Sequence, residues 1–215
     1  EITLPESLKV IGESAFQSSG VRNVNLPEGV TSIEAFAFAS CGWLDSITIP
    51  EAVTNIGDYA FTGCDGLTSI TIPSGVTSIG TGVFSYCWYL NTVFLPEGLI
   101  SIGDSAFADC RQLLNIEIPQ GVTSIGDFAF RNCERLPVMT IPESVTSIGN
   151  SAFADCKQMT SVTISRGVKD IGSHAFDGCS SLAVMVLPEG LAAIEDSSFK
   201  DCAALENIVI MTARS

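Results

Sequence analysis

The sequence predicts a solenoid of stacked α/β repeats, and three columns of residues predict it. Prolines fall at Pro5, Pro27, Pro50, Pro73, Pro96, Pro119, Pro142 and Pro188, with Ser165 filling the one gap in register. The step is 23 residues throughout, except for the first, which is 22. Eight cysteines from Cys41 to Cys202 and nine phenylalanines from Phe16 to Phe199 keep the same time. A period of this length held over about nine copies marks a repeat architecture. No single repeat of this size can bury its own apolar face, so neighbours must stack on each other.

Each element of the repeat has a local reason, taken here from Leu44 to Leu67. Leu44, Ile47 and Ile49 are apolar, and Ser46 and Thr48 alternate with the isoleucines. That is the pattern of a strand with one buried face. Pro50 ends the strand because it cannot donate to a ladder. An acidic or polar residue and a small one usually follow, as in Pro96-Glu97-Gly98, which reads as a tight turn. Val53 and Ile56 return to the core, and Gly57 is expected to take a backbone angle that other residues resist. Asp58 is placed to cap a short helical turn carrying Ala60, Phe61 and Cys64. A loop then leads to Leu67 and the next strand. Strands about 4.8 Å apart make the array roughly 40 Å long. The phenylalanines become a ladder of rings in near contact.

The run from Leu67 to Cys87 reads Leu-x-x-Ile-x-Ile-Pro and then Val-x-x-Ile-Gly-x-x-Val-Phe-x-x-Cys. This pattern resembles the BspA-like class of leucine-rich repeat, with Val83 in a place usually held by alanine, and the resemblance covers the whole chain. It implies a right-handed leucine-rich-repeat solenoid, with a parallel β-sheet on the concave face and short helical turns or irregular segments on the convex face. It also implies an exported, extracellular or cell-surface protein that acts in protein binding and adhesion.

The register runs unbroken over residues 1–215, so one solenoid domain of about nine 23-residue repeats is expected. Its two ends lack the polar capping repeats that solenoids usually carry. An excised piece of a longer protein is expected, or else self-association through the open ends. The formal charge is −14, with 24 acidic and 10 basic residues, which disfavours nucleic acid and anionic membrane surfaces as partners. No apolar run reaches transmembrane length, so membrane insertion by this segment is not expected.

The cysteines are related by one translation, so their side chains point the same way and cannot aim at one another as a disulfide requires. No Cys-x-x-Cys occurs and His174 is the only histidine, which argues against zinc. Each cysteine reads as a small buried hydrophobe. The turn column Glu51, Ser74, Glu97, Gln120, Glu143 alternates acidic with neutral residues, which spaces like charges and offers no cluster of calcium ligands. No cofactor is expected.

Candidate binding residues come from breaks in the outward columns. Phe94 stands between Thr71 and Glu117 in a column of mostly small side chains, and Trp88 and Tyr89 lie in the loop that feeds its strand. Trp43 holds the Tyr89 position two repeats earlier. Aromatic rings on a rigid surface supply contact area with little to order on binding. The six residues Trp88, Tyr89, Phe94, Thr71, Glu117 and Trp43 form the candidate site, for a protein or glycan ligand. The other reading of the rings is that they lie flat over loop edges and cover the core. Val138, Val184, Val186 and Val209 make the C-terminal half of the outward columns more apolar. His174 has Ser173 and Asp177 nearby, but neighbours along one turn do not make a triad. Asp104 and Asp127 sit at equivalent positions of successive repeats and give no sign of an acid and base pair. The expected function is therefore a non-enzymatic binding scaffold. The alternative is a structural spacer within a larger surface protein.

Overall fold

The computed structural model describes residues 2–211. Among these residues the regular elements are all β-strands, and every pairing is parallel. Two ladders run along the stack, the first divided into three sheets and the second into two. One is built from the predicted strands, such as Asn23–Asn25, Ser46–Thr48, Ser69–Thr71, Thr92–Phe94 and Val138–Ile141. Their middle residues point inward and their flanking residues outward, as Ser46–Thr48 shows with Ile47 buried between two exposed neighbours. The register pairs residues one repeat apart, so Thr71 lies beside Phe94 and Val138 beside Ser161.

The second ladder is made of two-residue strands, among them Ser78–Ile79, Ser101–Ile102, Ser124–Ile125 and Ser147–Ile148. It pairs Ile79, Ile102, Ile125 and Ile148 in register. Two residues cannot display an alternating pattern, so the sequence showed only an inward isoleucine here.

The predicted helical turn is not formed. No α-helix occurs among the described residues, and the segment from Asp58 to Cys64 is a run of tight turns. The reason lies in where its amides go. The N–H groups of Ala60, Thr62 and Cys64 donate three residues back along their own chain, to Gly57, Tyr59 and Phe61. The intervening N–H groups of Tyr59, Phe61 and Gly63 leave the repeat and donate to Thr81, Val83 and Ser85 of the next one, at 2.8–2.9 Å. Three such bonds recur at each of eight steps, from Ser14, Phe16 and Ser18 to His174, Phe176 and Gly178. A helix would keep all of these amides for itself. The alternation needs two residues per repeat in the left-handed region, and Tyr59 (φ 58°) and Gly63 (φ 67°) supply them here. Non-glycine residues hold most of these positions, at a cost of about 1–2 kcal/mol each. The bonds to the neighbouring repeat offset that strain.

Asp58 has a different role from the predicted cap. Its Oδ1 accepts the N–H of Thr81 in the next repeat at 2.8 Å. Asp104 does the same for Asp127 at 2.8 Å, and Asp127 for Asn150 at 2.6 Å. These carboxylates staple successive repeats together. Gly57 also differs from expectation, because its φ is not positive. It is glycine because the preceding repeat passes close by. A Cβ there would stand 2.7 Å from the Glu34 carbonyl carbon, and at the equivalent Gly149 it would stand 2.5 Å from that of Gly126.

The core lies between the two ladders and the turn face. Seven phenylalanines from Phe38 to Phe176 are fully buried. With Phe16 and Phe199 they form a continuous stack, with ring centroids 5.1–5.6 Å apart and planes within 13°. The eight cysteines are free thiols, seven buried and Cys202 half-buried. Each donates its S–H to the carbonyl of a ladder phenylalanine at 3.0–3.3 Å, 26 residues earlier except for Cys41, whose partner Phe16 is 25 residues earlier. The column therefore needs a small apolar side chain with a weak donor, which cysteine is. Burial pushes the thiols of Cys64, Cys87, Cys110, Cys133 and Cys156 above their ordinary range.

Candidate functional site

Phe94 ends the strand Thr92–Phe94 and projects from the outward face of the longer-strand ladder, 59% exposed. Its register neighbour Thr71 is exposed too, and too short to cover a ring. On the other side the ladder opens. The strands Asn115–Ile116 and Val138–Ile141 belong to different sheets, with no pairing between them. Pro137 sits at this opening, and the same ladder has another break, without a proline, between Ser46–Thr48 and Ser69–Thr71. At the equivalent position of other repeats, Asn91 N–H donates to Thr68 O at 2.8 Å, Leu114 N–H to Asn91 O at 2.9 Å and Thr160 N–H to Pro137 O at 2.8 Å. Pro137 has no N–H to give to Leu114, so that bond is missing where these two strands part, while the second ladder still pairs Ser124–Ile125 with Ser147–Ile148.

The parting leaves a groove of about 590 Å³. Phe94, Ile116 and Val138 form apolar parts of its wall, and Val138 is 54% exposed. Glu97, Glu117 and Gln120 supply its polar part, and neither lysine nor arginine lines it. A groove of this kind can hold an extended chain. Its walls take apolar side chains, its carboxylates take cations, and the open ladder offers backbone carbonyls.

The structure brings Phe94 and Glu117 together in this groove, with Thr71 beside Phe94 on the sheet. It does not bring Trp88, Tyr89 or Trp43 to the groove lining. Trp88 is 45% exposed and lies under the Arg111 guanidinium of the next repeat, 5.5 Å from the ring centre. Trp43 is 62% exposed, with the Arg22 guanidinium 5.0 Å from its ring centre. Tyr89 is 59% exposed in the same loop column as Trp43. Pro137, Ile116 and Val138 were missed as groove residues. The signal was present, since a proline inside a strand run is a break in the pairing pattern, but the sequence does not reveal which neighbours then line the gap.

His174 lies on the turn face in a shallow depression of about 370 Å³ with Phe128, Arg131 and Lys200. Its Nδ1 is 2.8 Å from Asp177 Oδ2, and Lys200 Nζ is 3.6 Å from the same oxygen. The side chains of His174 and Lys200 are about half exposed, so these are surface contacts, a hydrogen bond from or to His174 and a screened ion pair from Lys200. The backbone N–H of Ser173 is held by Asn150 Oδ1 at 2.9 Å. Asp104 and Asp127 are the repeat-to-repeat staples described above and do not face each other as an acid and base pair. Among the described residues no group of three or more metal-ligating side chains converges, and no helix is long and apolar enough to cross a membrane.

The family profile described as a BspA type leucine-rich repeat region of six copies matches residues 1–114 and 100–214. A leucine-rich repeat protein of Bacteroides ovatus is similar in structure, with a TM-score of 0.71 and 29% identity. The match covers 97% of this chain and 60% of that one, so this chain spans 60% of the length of that relative. The T. pallidum leucine-rich repeat protein has a TM-score of 0.65 and 29% identity, over 86% of this chain and 83% of that one. The pneumococcal vaccine antigen PcpA shares the fold alone, with a TM-score of 0.52 and 19% identity over 96% of this chain and 59% of its own. No curated protein is a significant match to the sequence.

Proposed function

The chain belongs to the BspA-type leucine-rich repeat family, and on that premise we propose that it is a non-enzymatic scaffold, at the cell surface or outside the cell, that binds a protein partner. BspA-type repeats typically serve as non-catalytic scaffolds. The observation that carries the reading is the groove beside Pro137, with an exposed Phe94 on one wall and acidic side chains along it. A rigid wall keeps the ordering cost of association low. The occupant is an extended peptide segment with apolar and basic side chains, because Glu97 and Glu117 face no cation in the groove lining.

The test is a peptide-display selection against the whole chain, with the selected peptides re-measured on Phe94→Ser, Glu117→Lys and Pro137→Ala. The expected peptides are rich in lysine or arginine beside apolar residues. Their affinity falls at least about tenfold with Phe94→Ser or Glu117→Lys, a loss of about 1.4 kcal/mol. Pro137→Ala restores the amide, gains a protected proton in hydrogen exchange and weakens binding by closing the groove. Peptides that bind all three variants as well as the parent chain would move the site elsewhere.

A further inference from the structure

Five positions after each ladder phenylalanine lies a loop column of its own. Trp43, Gly66 and Tyr89 hold it in three consecutive repeats, following Phe38, Phe61 and Phe84. The loops are tied together along the stack, with Gly66 N–H on Gly42 O at 3.0 Å and Asn91 N–H on Thr68 O at 2.8 Å. The three phenylalanines advance by 5.4 and 5.6 Å. The loop column advances with them, so two exposed aromatic residues stand two steps apart and the rung between them has no side chain. The floor of the gap is closed. A Cβ on Gly66 would lie 3.0 Å from Leu44 O and 3.2 Å from Asp45 Oδ1.

The chain shows what fits beside these rings. A guanidinium already lies against the ring of Trp43, from Arg22 at 5.0 Å, and another against Trp88, from Arg111 at 5.5 Å. Both distances are close to one step of the stack. A guanidinium is planar, weakly hydrated and able to stack on both of its faces, and it gains from the negative faces of aromatic rings. The gap also offers counter-charge, because Asp45 Oδ1 borders its floor and Asp65 stands in the same loop as Gly66. A sugar ring would stack without using the charge, and a lysine would use the charge without the stacking.

We propose that the slot between Trp43 and Tyr89, floored by Gly66 and bordered by Asp45, binds the guanidinium of an arginine side chain on a protein partner. The proposal rests on the reading above only in taking the partner to be a protein; it does not involve the Phe94 groove.

The experiment is an NMR titration of the 215-residue chain with N-acetyl-arginine amide, N-acetyl-citrulline amide, N-acetyl-lysine amide and methyl β-glucopyranoside. The arginine probe is expected to shift the Trp43 indole signal and to bind at least about tenfold more tightly than the other three. Tyr89→Ala and Asp45→Asn each weaken it by about tenfold, while Trp88→Ala, outside the slot, leaves it unchanged. Tyr89 and Asp45 are exposed, so neither variant threatens the core. Equal binding of arginine and citrulline, tighter binding of the glucoside, or arginine shifts that persist in Tyr89→Ala would each overturn the assignment. A slot that fails this test while groove peptides still bind would leave the groove reading intact, and the converse result would separate the two in the other direction.

Discussion

Phe107 is where the stacked core can be tested most directly. It is fully buried, and its ring lies 5.5 Å from that of Phe84 and 5.3 Å from that of Phe130. Truncation to alanine in a closed core costs about 3–5 kcal/mol. Two ring neighbours are lost at once, each pair contributing about 0.5–1.5 kcal/mol beyond burial, which places Phe107→Ala at the upper end of that range. Phe16 is the internal control. It is half-buried and stacks on one ring only, Phe38 at 5.1 Å. Its truncation should cost roughly half as much, about 2 kcal/mol. Urea unfolding would give the two values. Hydrogen exchange would show where the damage spreads, since repeat stability is carried by neighbours. In Phe107→Ala the amides of Phe84, Phe107 and Phe130, each donated to the next repeat, should lose protection together. Equal losses at Phe16 and Phe107, or protection lost only at residue 107, would refute the account of a core shared between repeats.

Three further outcomes follow from the columns. In the native chain, Cys202 should be the first thiol to react with a thiol reagent, and all eight should react in denaturant; four native disulfides would contradict the packing. The buried thiols have raised pKa values, so their contribution to stability is fully present below the unfolded value of about 8.5 and declines as pH rises above it, by about 1.4 kcal/mol per pH unit for each thiol kept protonated. Thermal melts should therefore be flat near neutrality and fall steeply in alkali, and a midpoint unchanged up to about pH 10 would show that the thiols are accessible. Gly149→Ala should destabilise by about 1–3 kcal/mol, because its Cβ would meet the backbone of Gly126 and Asp127 at 2.5–2.6 Å. Gly12→Ala, with nothing within 4 Å, should be neutral or slightly stabilising in the same melt, and equal effects at both glycines would exclude close approach as the cause.

Whatever depends on translation alone is legible in the chain's spacing. Residues one period apart must superpose when repeats stack, so the phenylalanine ladder, the unpaired cysteines and the inward face of each strand were all legible from spacing. The exposed position of Phe94 was legible for the same reason, since Thr71 beside it cannot cover a ring. A choice between partners inside a repeat and partners in the next one is made only when the repeats are stacked. The segment from Asp58 to Cys64 has residues a helical turn could use, yet its alternate amides find carbonyls on the neighbouring repeat and the helix is lost. Asp58 likewise serves the next repeat, where a local reading made it a cap, and Gly57 yields to the backbone of the repeat before it. Trp88 and Trp43 lie against arginines from adjacent repeats, so their chain neighbours did not reveal that they are outside the groove lining. The groove needed both kinds of information. Pro137 is visible in the sequence as a missing donor, but which walls part around it is settled only when the neighbouring strands are in place.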